Sequence, residues 1–172
     1  MTEALKSRIR HVPDFPKAGI LFYDVTTLLR DPEGFRLAID SIASPFTGGG
    51  IDLVVGIESR GFILGSAVAD RIRAGFVPVR KLGKLPSTTI RASYALEYGT
   101  DSLEMHRDAI EPNQRVLIID DLLATGGTAA ATVSLVEAVG GKVEGVAFLI
   151  ELLGLNGRDK LVGQNVHAVL GY

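Results

Sequence analysis

The 172 residues include no cysteine and no tryptophan. The first absence removes disulfides, thiol nucleophiles and cysteine metal sites, and it suits a reducing compartment. The second, with aromatic residues at only 6%, argues against a stacking surface for single-stranded nucleic acid. Excess positive charge is lacking too: Lys+Arg 18 against Asp+Glu 20 give a formal net charge of -2. No nucleic acid partner is therefore expected, since nothing here would hold a polyanion by charge alone. No apolar run approaches the roughly 20 residues that cross a bilayer. The opening MTEALKSRIRHV is charged throughout, without the apolar core of a signal peptide. No membrane partner and a cytoplasmic setting are the expectation. His11, His106 and His167 lie far apart in the chain, none with a second ligand at metal spacing, so no metal site built directly from protein ligands is expected.

What is present is an ordinary globular composition, 47% hydrophobic and 22% charged. The length suits one domain over residues 1–172. Strand-like and helix-like segments alternate. Leu53 to Ile57, Val116 to Ile119, Val143 to Ile150 and Val166 to Leu170 read as buried strands. Phe76 to Arg80 is a weaker one, because Pro78 removes a ladder donor and suggests an edge or a bulge. Asp31-Pro32-Glu33 has the chemistry of a helix start, followed by an apolar face of Phe35, Ala38, Ile39 and Ile42. Gly61 to Ala74 reads as a helix, and so does the segment carrying Thr132, Leu135, Val136 and Val139, closed by Gly140-Gly141. The alternation predicts an α/β fold with a central, mostly parallel sheet flanked by helices. Two stretches depart from it: the proline-punctuated His11 to Asp24, and Lys81 to Asp101, which reads as a long functional loop or lid.

The strongest chemical signal is Val116-Leu117-Ile118-Ile119-Asp120-Asp121-Leu122-Leu123-Ala124-Thr125-Gly126-Gly127-Thr128. An apolar strand ends in two acids, and a hydroxyl–glycine turn then opens a helix. Ligands of open parallel sheets sit beyond the carboxyl ends of the strands. Free N–H groups at a helix start, with glycines admitting the backbone, form a phosphate cradle. Ala124, Thr125, Gly126, Gly127 and Thr128 are its candidate residues. Asp120 and Asp121 would repel a phosphate, so sugar hydroxyls, Mg²⁺ or a developing cation are their sensible targets. The alternative is that the acids only cap the next helix and the glycines only turn the chain. No Gly-Lys-Ser/Thr of a Walker loop and no dinucleotide pattern of spaced glycines is present.

This combination resembles the binding motif for 5-phosphoribosyl 1-diphosphate (PRPP) in type I phosphoribosyltransferases. Further segments resemble the adenine-specific members of that family: Glu58-Ser59-Arg60-Gly61-Phe62, Lys84-Leu85-Pro86 with Tyr94-Ala95-Leu96-Glu97-Tyr98-Gly99, and Ala18-Gly19-Ile20-Leu21-Phe22-Tyr23-Asp24. Tyr23 stands where relatives usually carry Arg or Lys, and Ala18 where Pro is common. The resemblance implies the type I phosphoribosyltransferase fold, with a base-binding hood from about residues 1–30 and a flexible lid over 81–101. It implies AMP and pyrophosphate formed from adenine and PRPP, a Mg²⁺ cofactor held mainly by PRPP, and a homodimer.

Site roles follow from the same resemblance. Ile20 through its backbone, Phe22, Arg60 and Leu155 are expected at adenine. Glu58, Ser59, Arg60, Arg80, Lys81, Lys84 and Tyr98 are expected at pyrophosphate, with Arg80 reaching a neighbouring subunit's site. Glu97 is expected to move a proton at the base, and Asp120 and Asp121 to hold the ribose. A cis peptide is expected at Glu58–Ser59. Tyr94, Tyr98 and Glu97 also have plain readings as packing residues or a solvated acid. Arg158-Asp159-Lys160 reads as an exposed, solvated stretch without chemistry. Two rivals remain: a phosphoribosyltransferase for a 6-oxopurine or pyrimidine, and a regulator that keeps the fold as a nucleic-acid-binding sensor.

Overall fold

The computed structural model describes residues 2–95 and 99–172. In chain order the described elements are helix α1 (Thr2–Lys6), strands β1 (Arg10–Pro13) and β2 (Leu21–Asp24), and helices α2 (Thr26–Arg30) and α3 (Pro32–Ala43). There follow β3 (Leu53–Ile57), α4 (Arg60–Ile72), β4 (Gly75–Lys81), β5 (Thr89–Ala95), β6 (Thr100–His106), β7 (Arg115–Leu123), α5 (Gly127–Ala138), β8 (Lys142–Glu151) and β9 (Val166–Gly171). The sheet order is β5-β6-β4-β3-β7-β8-β9, with β1 and β2 forming a separate antiparallel pair. From β4 across to β9 every pairing is parallel; β5 and β6 add an antiparallel edge.

The apolar runs of β3 and β7 are continuous because both faces of the sheet are covered. Along β7, Leu117 and Ile119 enter the core beneath α3 and α4, while Val116 and Ile118 enter the other core with Val133 and Val136 of α5. All four β7 side chains are fully buried, so trimming any one to Ala would cost about 2–5 kcal/mol. Helix α3 starts as its sequence predicts. The Asp31 carboxylate accepts the Glu33 N–H at 3.0 Å, Pro32 opens the first turn, and Ala38, Ile39 and Ile42 are buried.

Three expectations change. Strand β7 does not stop at Ile119; it continues through Asp120, Asp121, Leu122 and Leu123, because β8 keeps pairing with it as far as Leu123↔Glu151. The acid pair therefore sits on strand backbone rather than in the turn. Strand β4 is not a sheet edge, since it lies between β3 and β6, yet β6 pairs only with Arg80 and Lys81. Pro78 falls before that pairing begins, on the stretch where its missing N–H costs no ladder bond. The expected long loop over Lys81–Asp101 contains all of β5 and the start of β6, paired from Thr89↔His106 to Ala95↔Thr100.

Candidate active site

Two helix starts converge at the carboxyl ends of β3 and β7. Helix α5 begins at Gly126, in the left-handed region at φ +79°, and no side chain caps it. Its Ala130 N–H closes the first turn onto the Gly126 carbonyl at 3.0 Å, leaving the preceding first-turn N–H groups for a ligand. Together with Asp120, Leu123, Ala124, Thr125, Thr128 and Phe148 they enclose a pocket of about 70 Å³. All the residues expected at the phosphate, Ala124 through Thr128, thus come together around one small polar hollow.

Gly126 could not be another residue. Besides its positive φ, a Cβ there would collide with the carbonyl oxygen of Gly157, and a Cβ on Gly157 would collide with that of Ala124. Gly157, absent from the sequence reading, backs the turn from Ala124 to Thr128. Its signal was faint: one glycine on the β8–β9 connection beside charged residues.

The acids divide their work. Asp121, 7% exposed, accepts the Arg60 Nε–H at 2.6 Å. Asp120 accepts the Asp121 N–H at 2.9 Å and lies against Gly61, the second residue of α4, where a Cβ would come within 3.0 Å of its carboxylate. Burial, and next the Asp121 charge, push the Asp120 carboxyl well above the usual carboxylate range. Among the described residues no group of three acidic or histidine side chains could cage a metal. The Asp120–Asp121 pair is half committed to Arg60. Such a donor set suits a hard cation carried in by substrate oxygens and water, with little protein ligation.

Arg60 also lines a second cavity of about 340 Å³ with Val12, Phe15, Phe22, Tyr23, Asp24, Val25 and Thr26. Phe22 and Phe15 meet edge to face at 5.2 Å between ring centres, giving an apolar, aromatic wall of the kind a flat heterocycle fills. The hood strands are pinned by the Arg10–Asp24 ion pair. Hydrogen bonds from Thr26 and then that arginine hold the Asp24 carboxyl down at about 2. The Tyr23 ring packs against Tyr172 at 4.0 Å and His11 at 5.1 Å between ring centres. That packing accounts for an aromatic residue at this position. Ile20 is 45% exposed, and its N–H already donates to the Lys17 carbonyl. Leu155 is 47% exposed on a short turn after β8 and lines neither cavity.

The Glu58–Ser59 peptide is cis. The Glu58 carboxylate faces Arg80, which donates to it through Nη2 at 3.0 Å and Nε at 3.2 Å, while the Lys81 N–H donates at 3.1 Å. The Arg80 hydrogen bonds hold Glu58 below its ordinary value. Arg80 is thus engaged within its own chain here, with its guanidinium 5.9 Å from the Phe62 ring centre. Lys81 pairs with Asp101 at 3.4 Å.

Lys84 sits where its N–H donates to Glu104, a carboxylate 2% exposed that also takes the Leu85 N–H and the Thr89 hydroxyl. Burial raises the Glu104 carboxyl, but the N–H donors at Leu85 and Lys84 outweigh it and leave the value lowered. The sequence reading missed Glu104, which looks like any strand acid until its partners are known. Glu97 and Tyr98 lie outside the described residues.

An acid pair and an uncapped glycine turn beside an aromatic pocket, at the carboxyl edge of a parallel sheet, define a protein that handles a phosphorylated sugar and a flat base. Residues 25–163 match the Phosphoribosyl transferase domain family. An adenine phosphoribosyltransferase of Acidobacterium capsulatum is 58% identical over 170 residues, 99% of this chain and 94% of that one. The crystal structure of the Rhodothermus marinus adenine phosphoribosyltransferase is 60% identical, with a TM-score of 0.95 over 99% of this chain and 98% of that one. The Saccharomyces cerevisiae enzyme, solved with an imino-altritol bisphosphate and adenine, is 40% identical with a TM-score of 0.93, covering 98% and 97%. The chain belongs to the phosphoribosyltransferase family, in its adenine phosphoribosyltransferase branch.

Proposed function

We propose that this chain transfers the 5-phosphoribosyl group from PRPP to adenine, giving AMP and pyrophosphate, a purine salvage reaction. The observation that carries this reading is the Arg60–Asp121 hydrogen bond, which ties the strand that ends in the 124–128 turn to a residue lining the aromatic cavity. The C1–oxygen bond to diphosphate breaks, C1 becomes cationic, and N9 of adenine bonds to it. The turn from Ala124 to Thr128 anchors the 5′-phosphate, so binding energy remote from C1 is converted into position at C1. Asp120 and Asp121 face the ribose hydroxyls and favour the positive charge. The uncapped start of α4 at Ser59, with Arg60, Arg80, Lys81 and Lys84, receives the departing diphosphate.

Phe22 stacks on the base. The backbone of Ile20 reads its edge after the hood rearranges, and Leu155 closes the far face. Glu97 takes the proton lost from the imidazole ring of the base, and Tyr98 hydrogen-bonds the diphosphate. A lid spanning 81–101 excludes water, which would hydrolyse the activated sugar. Mg²⁺ would be held mainly by the diphosphate and ribose oxygens beside the acid pair, where it neutralises leaving-group charge.

A homodimer in the cytoplasm completes the reading. Ile63 and Phe76 leave apolar surface exposed on α4 and β4, next to the Phe62–Arg80 contact, and a second copy would cover it. Turnover with PRPP, Mg²⁺ and each free base in turn is the test. Adenine is expected to be the preferred acceptor by orders of magnitude in kcat/KM. Faster reaction of hypoxanthine, guanine or a pyrimidine would overturn the base assignment, and binding of RNA or DNA without turnover would overturn the enzyme.

A further inference from the structure

The charged triplet Arg158-Asp159-Lys160 is not simply solvated. Arg158 donates to Glu151 through Nε at 2.8 Å and Nη2 at 2.7 Å, and to the Val166 carbonyl through Nη1 at 3.1 Å. Glu151 is the last residue of β8 and its side chain is only 9% exposed. The next residue, Leu152, donates its N–H to the Leu123 carbonyl at 2.9 Å, so this strand end is tied directly to the end of β7. A paired, planar arginine fork on a buried carboxylate is a rigid joint, and removing one partner leaves the other charge uncompensated.

The residue just before that joint is Gly157, whose carbonyl oxygen lies against the Cα of Gly126 and whose own Cα lies against the Ala124 carbonyl. The phosphate turn is therefore clamped between α5 on one side and residues 156–158 on the other. Asn156 makes the approach possible by taking a left-handed conformation at φ +51°. The Leu123 side chain also lies against Gly157, but it is apolar and adaptable, whereas the Arg158–Glu151 fork is the directional, charged part of the clamp.

We infer that Arg158 is a positioning residue for the phosphate turn. By gripping Glu151 it holds Gly157 against Gly126, and so fixes the conformation in which the first-turn N–H groups of α5 face the 5′-phosphate. This rests on the reading of that turn as the 5′-phosphate site. Releasing Arg158 leaves the reacting groups and the adenine cavity in place but lets the turn sample other conformations. The entropy of reordering it is then charged to phosphate binding. The expected signature of Arg158→Ala is a KM for PRPP raised about tenfold or more, with kcat and the KM for adenine within about twofold of wild type. Arg158→Lys keeps one charged hydrogen bond without the fork and should recover part of the loss.

The test compares wild type, Arg158→Ala, Arg158→Lys and Gly126→Ala by steady-state kinetics, and by calorimetric titration with ribose 5-phosphate as the probe. Weaker probe binding in both arginine variants, graded Ala below Lys, supports the inference. If Arg158→Ala does not fold, the lysine variant still reads it, through an intermediate rise in the KM for PRPP. Lowered melting temperature with unchanged PRPP KM and unchanged probe affinity would show a structural role only and overturn it. Gly126→Ala separates the two claims. If that variant binds the probe like wild type, the phosphate-turn reading fails. If it loses binding while both arginine variants keep it, the inference about Arg158 alone fails.

Discussion

At the β7–α5 turn the backbone itself makes the site, whereas the β5–β6 hairpin, which packs against α5 at Gly127 through Tyr94, is held in place by carboxylates. Gly126 and Gly157 meet main chain to main chain, and the N–H groups that await the ligand belong to a helix. Around the hairpin, Glu104 gathers Lys84, Leu85 and Thr89, Glu58 gathers Arg80 and Lys81, and Asp101 pairs with Lys81. The first arrangement is fixed in geometry and tolerates almost no side chain. The second is a set of hydrogen bonds that can be exchanged for others, which is what the proposed lid over 81–101 would require.

The sharpest way to break this contrast is Gly126→Ala. It forces a left-handed Ala against a carbonyl, and kcat/KM for PRPP should fall about 100-fold or more, measured by steady-state kinetics. Asp120→Asn comes next, with opposite effects on activity and stability. The raised carboxyl of Asp120 means that its charge opposes folding above the ordinary aspartate range, a penalty that grows as pH rises towards its folded value. Removing the charge should raise Tm at neutral pH by about 2–4 °C while cutting kcat at least tenfold. Scanning calorimetry and turnover on the same preparation check both signs.

On the hairpin side, Glu104→Gln replaces one acceptor of a converging set with a donor. It should lower Tm by about 3–8 °C and speed proteolysis between residues 81 and 89, with only a several-fold loss of kcat. Acidification sharpens the comparison. Glu58 and Glu104 have lowered values, so their stabilising bonds are complete above the ordinary 4.5 and are lost as pH falls below it. Amide exchange, corrected for its intrinsic pH dependence, should therefore rise in residues 81–95 below that pH and not in 120–128, where protonating Asp120 relieves strain. Smallest of all, Lys81→Gln breaks a half-exposed ion pair and should shift Tm by less than about 2 °C.

The same contrast explains what the sequence disclosed. The phosphate turn was legible because backbone chemistry leaves a linear signature: an apolar strand, Asp120-Asp121, then Thr125-Gly126-Gly127-Thr128. The sheet was legible from runs of buried β-branched residues. Strand β5 was not, because the alternation it carries, Ile90, Ala92 and Tyr94 inward against Arg91 and Ser93 outward, is weak and follows Gly83 and Pro86. Glu104 and the pairing of Arg158 with Glu151 were missed for another reason. A charged residue shows its work only through a partner many positions away, and Arg158 reads as solvated until Glu151 is placed beside it. The aromatic cavity was half legible: Phe22 and Arg60 came from the resemblance, but Phe15 and Val12 line it only because β1 and β2 pair.

The most direct measurement is calorimetric titration of PRPP with Mg²⁺ into the wild-type chain and into Gly126→Ala. Saturable heat with one site per wild-type chain, and none in the glycine variant, is the predicted result. Equal binding by both proteins, or no heat from the wild type, would contradict the claim that this turn grips the sugar phosphate.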